Sequence, residues 1–149
     1  MTHYFEVYQR LDHTHDVDDQ IILEHDVREK GRFKAISVSG VEVRVFLERG
    51  KTLLIGEYLK TECEKIIQVL GAEEDVVEAA CGDWETFSKA CYHLGNRHVK
   101  IQVGECWLRM KSDYVLEEML QMLGLIVTQK RAVFIPESGA YSGGHQHKH

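Results

Sequence analysis

Three histidines crowd the end of this chain: His145, His147 and His149 alternate with Gln146 and Lys148. Alternate side chains of an extended backbone share one side, roughly 7 Å apart, and a flexible chain can fold two of them onto one cation. Imidazole nitrogen suits nickel, zinc and copper, whereas calcium and magnesium prefer oxygen. The chemistry on offer is therefore transition-metal binding. The plain alternative is an idle tail or a purification tag, but tags are usually unbroken histidine runs. The other histidines are weaker signals. Asp12, His13, His15 and Asp16 make the string DHTHD, read here as a solvated loop, and His3 and His25 are scattered through the same half. His93 falls near the end of an expected helix and is open between ligand and surface residue. His98 opens an expected strand on the polar face with Lys100 and Gln102, where a lone histidine is ordinarily a surface residue.

The remaining chemistry is thin. Cys63, Cys81, Cys91 and Cys106 are widely spaced, without the CxxC pairs of a structural zinc site. They read as reduced, mostly buried thiols of a cytoplasmic protein. No catalytic motif and no P-loop is visible, so no catalytic residue is assigned and an enzyme is not expected. The formal charge of -6 argues against sequence-blind nucleic-acid binding, which needs clustered Lys and Arg to neutralise phosphates. No apolar run approaches the roughly 20 residues that span a bilayer, and the N-terminus lacks a signal-peptide pattern. A cytoplasmic protein that binds neither nucleic acid nor membrane is the expectation.

The elements that must hold these residues change character near Gly71-Ala72. Before it, HYFEVYQRL (3–11), RFKAISV (32–38) and VEVRVFL (41–47) alternate apolar and polar residues, and LLIGEYL (53–59) and EKIIQVL (64–70) are further strand candidates. No helical period appears there, so residues 1–71 read as an all-β domain. After it, 75–80 reads as a strand. Asp83 caps a helix whose stripe is Trp84, Phe87, Cys91 and Leu94, with Gly95-Asn96 as a left-handed C-cap. Residues 98–104 and 105–111 read as a hairpin through Gly104. A second helix starts near Ser112 or Asp113 and stops at Gly124, and 125–134 is the last strand. The order βαββαβ is the split βαβ of ferredoxin-like domains, with helices on one sheet face and the other needing cover from the first domain or a partner. The fold class is thus α+β: an all-β N-terminal domain, a ferredoxin-like C-terminal domain over 72–136, and a flexible histidine-containing tail over 137–149.

The stretches ACYHLGNRHV (90–99), DYVLEEMLQMLGL (113–125) and PESGAYSGGHQHKH (136–149) closely resemble the UreE family of urease accessory nickel chaperones. DVREKGRFKA (26–35) and FLERGKTLLIGEYL (46–59) resemble the family's N-terminal domain, so the likeness spans almost the whole chain. It implies a metallochaperone that delivers Ni(II) to apo-urease during active-site assembly. It implies a partner-binding N-terminal domain and a C-terminal domain that forms a homodimer. Further implied partners are the urease accessory GTPase and the urease apoprotein complex with its accessory proteins. The GNRH histidine, His98 here, would lie at the dimer interface, where two copies share one ion, a role opposite to that of an idle surface residue. His145 and His147 match the tail ligands, while His149 is a further candidate without a firm counterpart. Ni(II) is the implied metal, with Zn(II) or Cu(II) as substitutes. Two departures narrow this. The tail has three histidines, so large storage capacity is not expected, and Ser112 and Tyr114 stand where some members carry auxiliary histidines.

Overall fold

The computed structural model describes residues 3–13 and 16–138. It divides into two compact units that meet between Ala72 and Glu73.

The first unit contains β1 (Tyr4–Leu11), β2 (Asp19–Leu23), α1 (His25–Arg28), β3 (Arg32–Ile36), β4 (Glu42–Phe46), β5 (Tyr58–Thr61) and β6 (Ile66–Gly71). One six-stranded sheet runs β2-β6-β5-β1-β4-β3. The β1–β4 and β2–β6 pairs are parallel and the others antiparallel. Strand alternation puts Phe5, Val7, Ile21, Leu23, Val43, Val45, Leu59, Ile67 and Val69 on one face, where they form the core. The Val38 N–H donates to the Gln20 carbonyl at 2.8 Å, drawing the sheet's two edges together. Three local expectations need correction. Residues 53–59 are mostly irregular, because Gly56 turns the chain at φ +92°, and the strand begins only at Tyr58. Strand β2 follows an acidic run, DVDD, that masks its short apolar pattern. The β domain also carries a single helical turn, α1, too short to show a period. Buried Arg28 pins that turn by donating from its guanidinium to the Leu23 carbonyl, and its own carbonyl accepts from the Leu53 N–H, each at 2.8 Å.

The second unit contains β7 (Glu73–Ala80), α2 (Trp84–Asn96), β8 (Gln102–Val103), β9 (Trp107–Lys111), α3 (Tyr114–Leu123) and β10 (Ile126–Val133). Its sheet runs β10-β7-β9-β8, all antiparallel. This is the βαββαβ arrangement, and with the strand-rich first unit it makes the chain α+β. Val77, Ala79, Leu108 and Met110 pack against Phe87, Ala90, Leu94 and Leu120, so both helices cover one face. Asp83 caps α2 through the Thr86 N–H at 2.8 Å, and Asp113 caps α3 through the Leu116 N–H at 3.1 Å. The backbone bond from Thr86 holds the Asp83 carboxyl below its usual range. That cap is therefore complete at neutral pH and is lost only as acid reaches the lowered value. Gly124, at φ +104°, ends α3 in the left-handed conformation its missing Cβ permits.

The helix-free face is partly covered by the unit itself. Glu78 there bonds Arg109 at 2.9 Å and Lys130 at 3.2 Å. Beyond β10 the chain crosses this face as a strap. Phe134 is buried, Ile135 N–H donates to Gln102 Oε1 at 2.9 Å, and Glu137 N–H donates to the Ile101 carbonyl at 2.7 Å. The strap thus starts at the β10 edge and finishes beside β8 at the opposite edge.

The hairpin through Gly104 forms, but β8 is only two residues long. The Trp107 indole lies so close over Gly104 that a Cβ there would sit 1.9 Å from its Cε2. Gly104→Ala is expected to cost about 1–3 kcal/mol, the range for overpacking a rigid contact. Urea unfolding checks this, and an unchanged midpoint would mean that the indole swings aside freely.

Candidate metal site

His98 does not open a strand, and the left-handed cap does not fall at Gly95-Asn96. Helix α2 runs through Asn96, Arg97 follows at φ -97°, and His98 itself takes the left-handed conformation at φ 59°. Two backbone bonds define the motif. The His98 N–H donates to the Gly95 carbonyl at 3.0 Å, and the Val99 N–H reaches back to the Leu94 carbonyl at 3.1 Å. This is a Schellman ending with histidine at the position usually held by glycine. The physical reason for the shift is register. Val99 packs with the core cluster that contains Leu94, and that contact sets where the helix stops, whatever the preference of Gly95 and Asn96.

The consequence is an exposed imidazole on a turn held by the N–H bonds of Arg97, His98 and Val99. Left-handed φ at a residue with a Cβ is disfavoured by about 1–2 kcal/mol, and such positions cluster at functional sites. His93, one turn earlier, is half-buried, stands edge-on to Tyr92 with ring centroids 5.4 Å apart, and its carbonyl accepts from Arg97.

The strap ends on the same segment. Through the Glu137–Ile101 bond, the last described residue, Ser138, emerges next to the segment that carries His98. His98 and Ile101 are three peptide units apart, at most about 11 Å, and the seven steps from Ser138 to His145 span at most about 25 Å. His145, His147 and His149 lie outside the described residues, as does His15 of the DHTHD string.

The cysteines are free, but they are less buried than expected. Cys63 is exposed in the turn between β5 and β6, and Cys81, Cys91 and Cys106 are half-buried at the rim of the second core. Burial, assisted by neighbouring Cys81, pushes the Cys91 and Cys106 thiols up. That keeps them protonated at neutral pH, the wrong state for a ligand or a nucleophile.

One cluster was missed by sequence reasoning. In α1 and its C-cap residue, ligand atoms of His25, Asp26 and Glu29 lie within 4.8 Å of one another. The spacing i, i+1, i+4 was visible, but nothing marked the stretch as helical.

Comparison with known proteins settles the family. The UreE urease accessory protein N-terminal domain matches residues 1–72 and the C-terminal domain matches residues 74–149. The chain belongs to the UreE family. A Urease accessory protein UreE from Marinomonas sp. is 64% identical over 144 residues, covering 95% of this chain and 98% of the relative. One from Alteromonas mediterranea is 54% identical, covering 94% and 92%. A third, from Azotobacter vinelandii, is 40% identical, covering 96% and 87%. UreE proteins form an accessory chaperone family and not an enzyme family. No described helix is long and apolar enough to cross a membrane.

Proposed function

We propose that this chain is a cytoplasmic nickel chaperone that carries Ni(II) to apo-urease. Its cargo site is His98 completed by His145 and His147, with His149 as a further ligand. The carrying observation is the exposed His98 in its left-handed turn beside the root of the tail. A tether this short holds the tail histidines near His98 at an effective concentration on the order of millimolar. A weak second or third imidazole then adds substantially to the affinity. Family membership supports the urease destination and the partners, namely the accessory GTPase and the urease apoprotein complex. The chain has no phosphate-binding loop of its own, so nucleotide hydrolysis belongs to the partner.

One imidazole cannot hold a divalent ion selectively. A homodimer solves this, because a two-fold axis sets His98 opposite its own copy. The exposed Tyr92 of α2 and Tyr114, Val115 and Met122 of α3 give the same unit apolar surface for a second copy to cover. Nickel accepts up to six N/O ligands, while zinc and copper are served by the same donors, so they act as substitutes.

The test is titration of the full chain with nickel alone, combined with solution mass. One tight ion per two chains is expected. Removing residues 144–149 should weaken binding by about 10-fold or more, the effect of losing a tethered ligand, without eliminating it. Unchanged affinity and stoichiometry would make the tail a bystander. Many ions per chain would point instead to a metal buffer.

A further inference from the structure

The cluster in the first unit has a different chemistry from the His98 site. His25 is 6% exposed, while the Asp26 and Glu29 carboxylates reach solvent. One ring nitrogen, Nδ1, is 3.9 Å from Asp26 Oδ1, and the other, Nε2, is 3.9 Å from Glu29 Oε2. Those separations are too long for direct hydrogen bonds, and because they involve different ring nitrogens, an ion would take one nitrogen together with both carboxylates, a set of atoms that lies within 4.8 Å. With metal–ligand bonds of about 2.0–2.2 Å, the ligands of a tetrahedral ion sit about 3.4 Å apart. Ligand atoms within 4.8 Å of one another therefore need only sub-ångström adjustment. Arg28, on the same turn, is bonded to both Leu23 and Leu53.

We propose that His25, Asp26 and Glu29 form a second metal site, in the N-terminal unit, for a first-row divalent cation such as Ni(II) or Zn(II). One imidazole and two carboxylates make a mixed N/O donor set. It is too nitrogenous for calcium or magnesium and lacks the thiolate that copper(I) prefers. The charges close: two carboxylates and a neutral imidazole cancel a dication. The gradient of exposure also fits loading from solvent, with carboxylates outside and the imidazole inside. With three protein ligands in place of a histidine cage, this site binds more weakly than the one at His98. The rival is a metal-free cluster in which a protonated His25 is itself the cation between the two carboxylates. The proposal does not depend on the role of His98 and stands or falls separately.

The experiment uses the full chain with His98, His145, His147 and His149 all changed to Ala, titrated calorimetrically with Ni(II) or Zn(II) alone. One ion per chain should remain. Asp26→Asn and Glu29→Gln should each lower that affinity by about tenfold or more, since even an outer-shell partner is worth 10–100-fold. His25→Ala should abolish it. Because His25 is interior and its loss could disturb the fold, the two carboxylate variants are the decisive ones, with circular dichroism confirming their fold. Paramagnetic Mn(II) should broaden the amide signals of residues 24–31 first. No bound ion in the four-histidine variant, indifference to both carboxylate changes, or broadening centred elsewhere would each overturn the site and leave the metal-free cluster.

Discussion

Replacing His98 with glycine is expected to remove tight nickel binding and make the protein more stable. The first effect follows from the ligand. Loss of an outer-shell partner already lowers metal affinity 10–100-fold, so loss of the imidazole, taken from both chains of the proposed dimer at once, should exceed about a hundredfold. The second follows from φ 59° at this residue. A left-handed residue with a Cβ is disfavoured by about 1–2 kcal/mol, and glycine removes that penalty. Glycine also gives the unfolded chain more freedom, which takes back about 0.4–1 kcal/mol. The net gain is about 0.5–1 kcal/mol. His98→Ala makes the control, because it loses the imidazole but keeps the Cβ: binding should fall equally while stability stays nearly level. Nickel titration and urea unfolding of the two variants decide this. If His98→Gly is no more stable than His98→Ala, the turn carries no strain. If either binds nickel like the parent, His98 is not the ligand.

The largest effect on stability is expected from Leu94→Ala. Leu94 is fully buried, and truncating such a leucine costs about 2–5 kcal/mol in lost transfer energy and cavity. The position also matters to the site. The Leu94 carbonyl accepts from the N–H groups of both Arg97 and Val99, and its side chain belongs to the cluster on which Val99 packs. Alanine keeps the carbonyl and loses the packing. The turn carrying His98 should then be less well held, and nickel affinity should fall severalfold although Leu94 touches no metal. Unfolding by urea gives the first number and titration the second. A loss below about 1 kcal/mol would mean that the core collapses around the gap.

How much of this was legible beforehand depends on how local each signal is. The order of elements in the second unit could be read off because its punctuation is local: Asp83 and Asp113 as caps, Gly124 as a stop, and the stripe Phe87, Cys91 and Leu94. The strand order β10-β7-β9-β8 rests on pairings between distant segments, such as Val133 with Glu73, and comes from the topology rule for split βαβ units and not from any one residue. The exact turn at His98 was misplaced because Gly95 and Asn96 have the stronger intrinsic taste for left-handed φ, and a tertiary contact through Val99 overrode them. The strap and the His25 cluster were invisible for related reasons. One ends on a single backbone bond between residues 101 and 137, which carries no side-chain signature. The other sits on a single helical turn.

The pairing of β7 with β10 also has a consequence in time. The N-terminal unit can complete its sheet once Gly71 has left the ribosome. The next strand, β7, then waits for a partner that ends at Val133, and at about 5–20 residues per second that wait lasts about 3–12 s. During that interval β9 can cover only one edge of β7. The unit that carries His98 is therefore born last and stays open longest, and a ribosome that stalls before β10 would leave an apolar strand edge unguarded.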